Sequence, residues 1–342
     1  MTDYPEFPLA LSYDDVLLVP GESDIKSRSD VDISTQITPR HSLKIPIVSA
    51  NMDTVTNSDM AIIIGKLGGL GILPRFNTVD QESLEVSRVK KAGLITCAAI
   101  GVKNGFIERA DALVTAGADI ILIDVAHGHM HSVAVALKTI RDKYPHLDLI
   151  AGNVGTFEAA EFLFKSGADC VKVGIGPGNA CTTRTQTGFG VPQITATLEA
   201  AKAAKKYHKF LMCDGGTKNS GDIVKGLAAG AHTVMIGSQF AATKEAPGET
   251  VEKDGRIFKQ YNGSTSAAER TKQGLSAENV EGASVLLPCV LSVESLVNQF
   301  VSGIRSGFSY AGAKNIQEFH QKAKFIRISP QAWTESASRH LN

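Results

Sequence analysis

The chain has 342 residues, with 35 Lys+Arg balanced by 35 Asp+Glu and 43% apolar residues. A neutral total with no basic run excludes an electrostatic footprint for nucleic acid or a membrane surface, and the apolar content excludes disorder. Residues 1–11 have no basic segment followed by an apolar core, and no apolar run reaches the ~20 residues of a membrane span, so a soluble, cytoplasmic protein is expected.

In chain order, short apolar runs rich in β-branched residues lie at 45–49, 70–73, 94–101, 119–124, 149–153, 169–174, 210–214 and 233–237. Most are followed by a stretch of helical periodicity, such as 156–166. Eight repeated βα units predict a parallel sheet closed into a (β/α)8 TIM barrel, in a single catalytic domain spanning 1–342. An open doubly wound sheet is the alternative; the number of strands and the absence of an early GxGxxG count against it. A barrel takes about 250 residues, which leaves roughly 90 to place. They fall in an N-terminal arm before residue 45, in the loop after the sixth strand, and in a polar stretch over 244–284. The last two leave from strand C-termini, the end at which barrel active sites are built.

The loop after the sixth strand, 174–193, reads GIGPGNACTTRTQTGFGVPQ. Its glycines and prolines suit neither helix nor strand and allow the backbone to approach a ligand or ion closely. Cys181 stands at its centre among Asn179, Thr182, Thr183 and Arg184, polar and cationic neighbours of the kind that lower a thiol pKa. Of the other cysteines, Cys97, Cys170 and Cys213 lie within predicted strands and read as buried, and Cys289 completes an odd set of five without a CxxC pair. Neither a disulfide framework nor a zinc site is expected. After strands seven and eight, Gly215, Gly216, Gly237 and Ser238 suit phosphate binding through backbone N–H groups, and Asp214 suits a ribose hydroxyl. His127, His129 and His131 imitate a metal cluster but have neither HExxH nor facial-triad spacing. Asp124, ending strand four, is a candidate to hold a polar ligand.

These motifs, with SANMDTV (49–55), AGNVGT (151–156), CDGG (213–216) and SGIRSGFSYAGAKNI (302–316), resemble the IMP dehydrogenase/GMP reductase family over nearly the whole chain. The resemblance implies a nucleotide barrel in which Cys181 attacks purine C2 and a nicotinamide cofactor exchanges hydride at that carbon. Within the family, three features resemble the reductases, which convert GMP to IMP and ammonia with NADPH. Only about twenty residues separate Leu73 from Leu94, leaving no space for CBS modules. Arg270 is followed by Thr271, so the Arg-Tyr pair of the dehydrogenase flap is missing. The stretches SRSD (27–30), PRF (74–76) and PGETVEKDGRIFKQYNGSTS (247–266) resemble bacterial reductases. An IMP dehydrogenase lacking CBS modules and a non-enzymatic nucleotide-binding regulator are the alternatives.

Carried over by motif, the resemblance implies Cys181 as nucleophile and Thr183 with Glu281 as the dyad that delivers a proton to ammonia. It implies substrate contacts from Met52, Asn179, Asp214, Gly215, Gly216, Gly237 and Ser238, with Ser264, Thr265, Ser266 and Gly282 toward the base. Cofactor contacts are implied for Asp124, Val125, Ala126, Ile175, Gly176, Ser306 and Ser309. Ser27 and Arg28 would reach the cofactor of a neighbouring subunit in a homotetramer, and Arg75 would pair with the 2'-phosphate of NADPH. The carbonyls of Gly176, Gly178, Cys181 and Arg184 resemble a potassium site. The chain departs from the pattern at Asn179, where serine is usual, and at Glu278, near a position basic in many animal reductases.

Overall fold

The computed structural model describes residues 7–263, 266–267, 271, 281–289 and 291–336. Eight parallel strands close into a barrel: β1 (Ile47–Ser49), β2 (Leu70–Leu73), β3 (Cys97–Ile100), β4 (Ile120–Asp124), β5 (Asp148–Val154), β6 (Cys170–Val173), β7 (Phe210–Asp214) and β8 (Thr233–Ile236). Closure is made by β8 on β1, with Val234 opposite Ile47 and Ile236 opposite Ser49. The protein is thus a (β/α)8 TIM barrel, and each expected strand is present. The third is shorter than its apolar run: Cys97 is its first paired residue, because the backbone N–H groups of Asp119 and Ile120 both bond to the carbonyl of Thr96, just before it.

The barrel helices start where side chains satisfy the orphan N–H groups of a first turn. Asn57 accepts from Met60 N–H at 3.0 Å, Thr78 from Gln81 N–H at 3.2 Å and Thr156 from Ala159 N–H at 3.2 Å. Each such cap is worth about 1 kcal/mol. The strands are mostly apolar because both their faces are covered, and Cys97, Cys170 and Cys213 are fully buried in the core, as their positions in strands predict.

Two regions outside the repeat matter for the site. The hairpin Thr35–Thr38 and His41–Leu43 brings Arg40 and His41 to Asp148, the first residue of β5, at the N-terminal end of the barrel. The polar stretch after β8 folds into a three-stranded antiparallel sheet, β9 (Thr250–Lys253), β10 (Arg256–Asn262) and β11 (Ser284–Pro288). Its first turn is Asp254-Gly255, both with positive φ, the signature of a two-residue hairpin. The N-terminal arm is anchored at the other end of the chain, where Val16–Leu18 pairs antiparallel with Phe325–Arg327.

Candidate active site

A cavity of about 570 Å³ opens at the C-terminal ends of the barrel strands, lined by the loop after β6 and the ends of β4, β7 and β8. This is the size of a small-molecule site. The loop is tied down from below by Gln193, only 1% exposed, whose Nε2 donates to the carbonyls of Val173 at 2.8 Å and Asp214 at 3.2 Å. From above, the chain just before β11 lies along it. Thr182 N–H donates to the Glu281 carbonyl at 3.0 Å, Ala283 N–H donates to that of Ala180 at 2.8 Å, and Gly282 bridges both Cys181 and Ser266.

That pairing brings Glu281 to two side chains of the loop, Cys181 and Thr183, about a hundred residues before it. The exposed Cys181 thiol donates to Thr183 Oγ1 at 3.2 Å, and Thr183 Oγ1–H donates to Glu281 Oε2 at 2.7 Å. A nucleophilic sulfur is thereby linked through one hydroxyl to a carboxyl, an arrangement able to move a proton to or from an atom bonded to the sulfur. Close by, Gly215 and Gly216 have φ of +93° and +84°, a conformation that turns successive backbone groups along the cavity wall and that other residues adopt at a cost.

Most residues expected at the site line this cavity. On the substrate side these include Met52, Asn179, Asp214, Gly237 and Ser238; on the other side Arg75, Asp124, Val125, Ala126 and Ile175. Gly176 and Gly178 also line it, while Arg184 packs its side chain on Gly176 and donates to the Val191 carbonyl at 3.1 Å. Other expected residues stand apart. Ser27 caps the exposed turn Arg28–Asp30, accepting from Ser29 N–H, and Ser309 donates to the Ser306 carbonyl within the helix Val293–Tyr310. Ser264, Thr265, Arg270 and Glu278 lie outside the described residues. The three histidines do not converge: His129 packs on the Phe162 ring at 4.8 Å and lies 6.4 Å from His127. Among the described residues no group of three or more His, Cys, Asp or Glu is placed to hold a metal ion.

Among the cavity residues that sequence reasoning did not single out are Lys172, Asn153 and Tyr261. Lys172, 3% exposed on β6, bonds to Asp214 Oδ2 at 2.7 Å and Asp124 Oδ1 at 3.0 Å, and Asn153 Nδ2 donates to Asp214 Oδ2 at 2.9 Å. Burial pushes the Asp124 carboxyl up, but Lys172 and Arg75, with a hydrogen bond from Asn51, outweigh it and hold the pKa below the usual carboxylate range. Tyr261, ending in the cavity from β10, has its phenol pushed up by burial, then by Asp214 and Cys181, and so stays a neutral donor. A lysine inside the run CVKV was the available signal for the first; Asn153 and Tyr261 gave none beyond their place near motifs.

The chain is similar to known proteins over nearly its whole length. A family model described as the IMP dehydrogenase / GMP reductase domain matches residues 10–340. The chain is 32% identical, in an alignment that spans 97% of it and 98% of the relative, to an inosine-5'-monophosphate dehydrogenase of Nitrosopumilus maritimus. It is 38% identical to the enzyme of that name from Borreliella burgdorferi, with 96% of both chains covered. The crystal structure of a GMP reductase from Trypanosoma brucei, in complex with guanosine 5'-monophosphate, superposes with a TM-score of 0.93 at 28% identity, covering 98% of this chain and 99% of that one. Among the described residues no helix is long and apolar enough to cross a membrane.

Proposed function

The chain belongs to the IMP dehydrogenase / GMP reductase family, oxidoreductases of purine nucleotides that use nicotinamide cofactors, and from that premise we propose that it converts GMP to IMP and ammonia with NADPH. The observation that carries the reading is the relay from Cys181 through Thr183 to Glu281. The amino group on C2 of GMP departs as ammonia only if it is protonated, and a carboxyl two hydrogen bonds from the attacking sulfur can supply that proton.

In the proposed sequence the Cys181 sulfur bonds to C2, the C2–N bond breaks, and Glu281 passes a proton through Thr183 to the departing nitrogen. A thioimidate is left on Cys181. NADPH, when bound, supplies the hydride that C2 accepts; the C–S bond then breaks, IMP leaves, and the thiolate is restored. Asp214, the paired glycines after it, Gly237 and Ser238 hold the ribose phosphate, and Ser266 and Gly282 contact the base, a role that Ser264 and Thr265 share by their motif alone. Asp124 to Ala126, Ile175, Gly176, Ser306 and Ser309 hold the cofactor. Arg75 fits a polar group of the cofactor, because its Nε is buried without a hydrogen-bond partner among the described residues, 3.9 Å from Asp124. A potassium ion would be held by the carbonyls of Gly176, Gly178, Cys181 and Arg184. Those of Gly178 and Arg184 each accept one backbone N–H, and a carbonyl has a second lone pair for a cation. The same proposal includes one catalytic domain, a homotetramer in which Ser27 and Arg28 reach a neighbour, and a cytoplasmic location.

The names of the dehydrogenase relatives favour a second reading, oxidation of IMP to XMP with NAD and water. Two parallel assays separate them. Loss of NADPH absorbance with GMP supports the reductase; XMP from IMP and NAD, with GMP inert, overturns it.

A further inference from the structure

Lys172 is the single polar residue of β6, and its side chain is only 4% exposed. Burial pushes its pKa down, yet Asp124 and Asp214 outweigh burial and raise it above the ordinary lysine value, so it is a buried ammonium. Barrel register puts it there: Lys172 stands opposite Gly152 on β5 and Met212 on β7, so its side chain rises between the ends of β4 and β7. Gly152 makes the room, since a Cβ on it would come within 2.6 Å of the Lys172 carbonyl oxygen and 2.7 Å of its Cβ.

The bonds around this ammonium leave Asp214 half free, while Asp124 takes a second hydrogen bond, from Asn51. Lys172 and Asn153 Nδ2 both reach Asp214 through Oδ2, and among the described residues no hydrogen bond arrives on Asp214 Oδ1. Asp124 meets Lys172 through Oδ1, while its Oδ2 has Arg75 Nε 3.9 Å away. Asn153 locks the arrangement by accepting from Lys172 on Oδ1 while donating from Nδ2 to both Asp214 and the Gly174 carbonyl. Both aspartates and the lysine line the cavity.

We infer that Lys172 is a positioning residue shared by two subsites: one cation aims Asp214 at the ribose of the substrate and Asp124 at the ribose of the cofactor. The inference rests on the proposed reading that these carboxylates face two nucleotides. Its consequence is that one substitution, touching neither nucleotide, weakens both together. Steady-state kinetics of the full chain test it, with whichever nucleotide pair the wild type turns over, so that an error in the choice between GMP with NADPH and IMP with NAD shows in the wild type alone. Lys172→Gln is expected to raise KM for both nucleotides about tenfold while kcat falls less than about threefold, as for loss of hydrogen bonds to charged groups. Lys172→Arg, which keeps the charge, is expected to restore both KM values most of the way. A rise in only one KM, or a fall in kcat or melting temperature with both KM values unchanged, overturns the inference. If Lys172→Gln yields no folded protein, Lys172→Arg carries the test: a smaller parallel rise in both KM values supports the inference, and a change confined to kcat overturns it.

Discussion

Strand β5 begins on Asp148 at the base of the barrel and brings Asn153 to the mouth, and its two ends hold buried charge in opposite ways. At the base the Asp148 side chain is 0% exposed, paired to Arg40 at 2.8 Å and His41 at 2.7 Å. The hairpin carrying those partners covers the carboxyl. At the mouth, Asp124 and Asp214 keep 14% and 21% of their side chains exposed and share one cation, Lys172. Unlike a sealed pair, which has only a structural use, carboxylates that keep an oxygen toward a cavity can bind. The same β-strand thus supplies rigidity at one end and, through Asn153, holds the cavity-facing charges of β4, β6 and β7 at the other, the division of labour that barrel geometry favours.

The comparison can be broken or sharpened by substitutions at each end. The largest effect is expected for Cys181→Ser at the mouth, which should cut kcat by at least roughly 10³-fold, as loss of a covalent nucleophile does. In the proposed reading the thiol acts in chemistry rather than in holding the phosphate, so GMP affinity, measured by calorimetry, should stay within about threefold. Next is Glu281→Gln, expected to slow ammonia release by about 10²-fold with hydride transfer less affected, read by transient kinetics; equal slowing of both steps would remove the proton-delivery role. Neither change should shift the melting temperature appreciably.

At the base the pattern should invert. Asp148→Ala strands Arg40 and His41 and is expected to destabilise by about 3 kcal/mol with both KM values unchanged. Burial pushes the Asp148 carboxyl up, but hydrogen bonds from His41 and Thr38 and the Arg40 charge outweigh it, leaving the folded pKa below the usual value. Its contribution is therefore present above the unfolded pKa of about 3.9 and is lost as pH falls below that. Acid unfolding should show a steep limb below about pH 4, shallower in Asp148→Asn. An altered KM in either variant would mean that the base communicates with the mouth.

Local pattern made much of this legible. The strands follow from apolar runs whose spacing is a property of a few neighbouring residues, and the observed bounds Cys170–Val173 and Phe210–Asp214 stay within one residue of the runs. The loop around Cys181 was equally readable, since glycines and prolines announce their own conformation. The sheet after β8 was not. Its strands are polar and alternate weakly, and β10 becomes a strand by pairing Tyr261 with Val285 across residues far apart in sequence. The pairing of Val16–Leu18 with Phe325–Arg327 was hidden for the same reason.

What the sequence by itself determined is the barrel and the family motifs, because both are written in contiguous residues. What only the tertiary structure decided is which groups meet. Thr183 bonds to Glu281 because β11 folds back over the loop, and Lys172 lies between Asp124 and Asp214 because barrel closure turns side chains from β4, β6 and β7 into one mouth. Hydrogen bonds and charge pairs reach only a few ångströms, so they exist only once folding has brought remote segments that close.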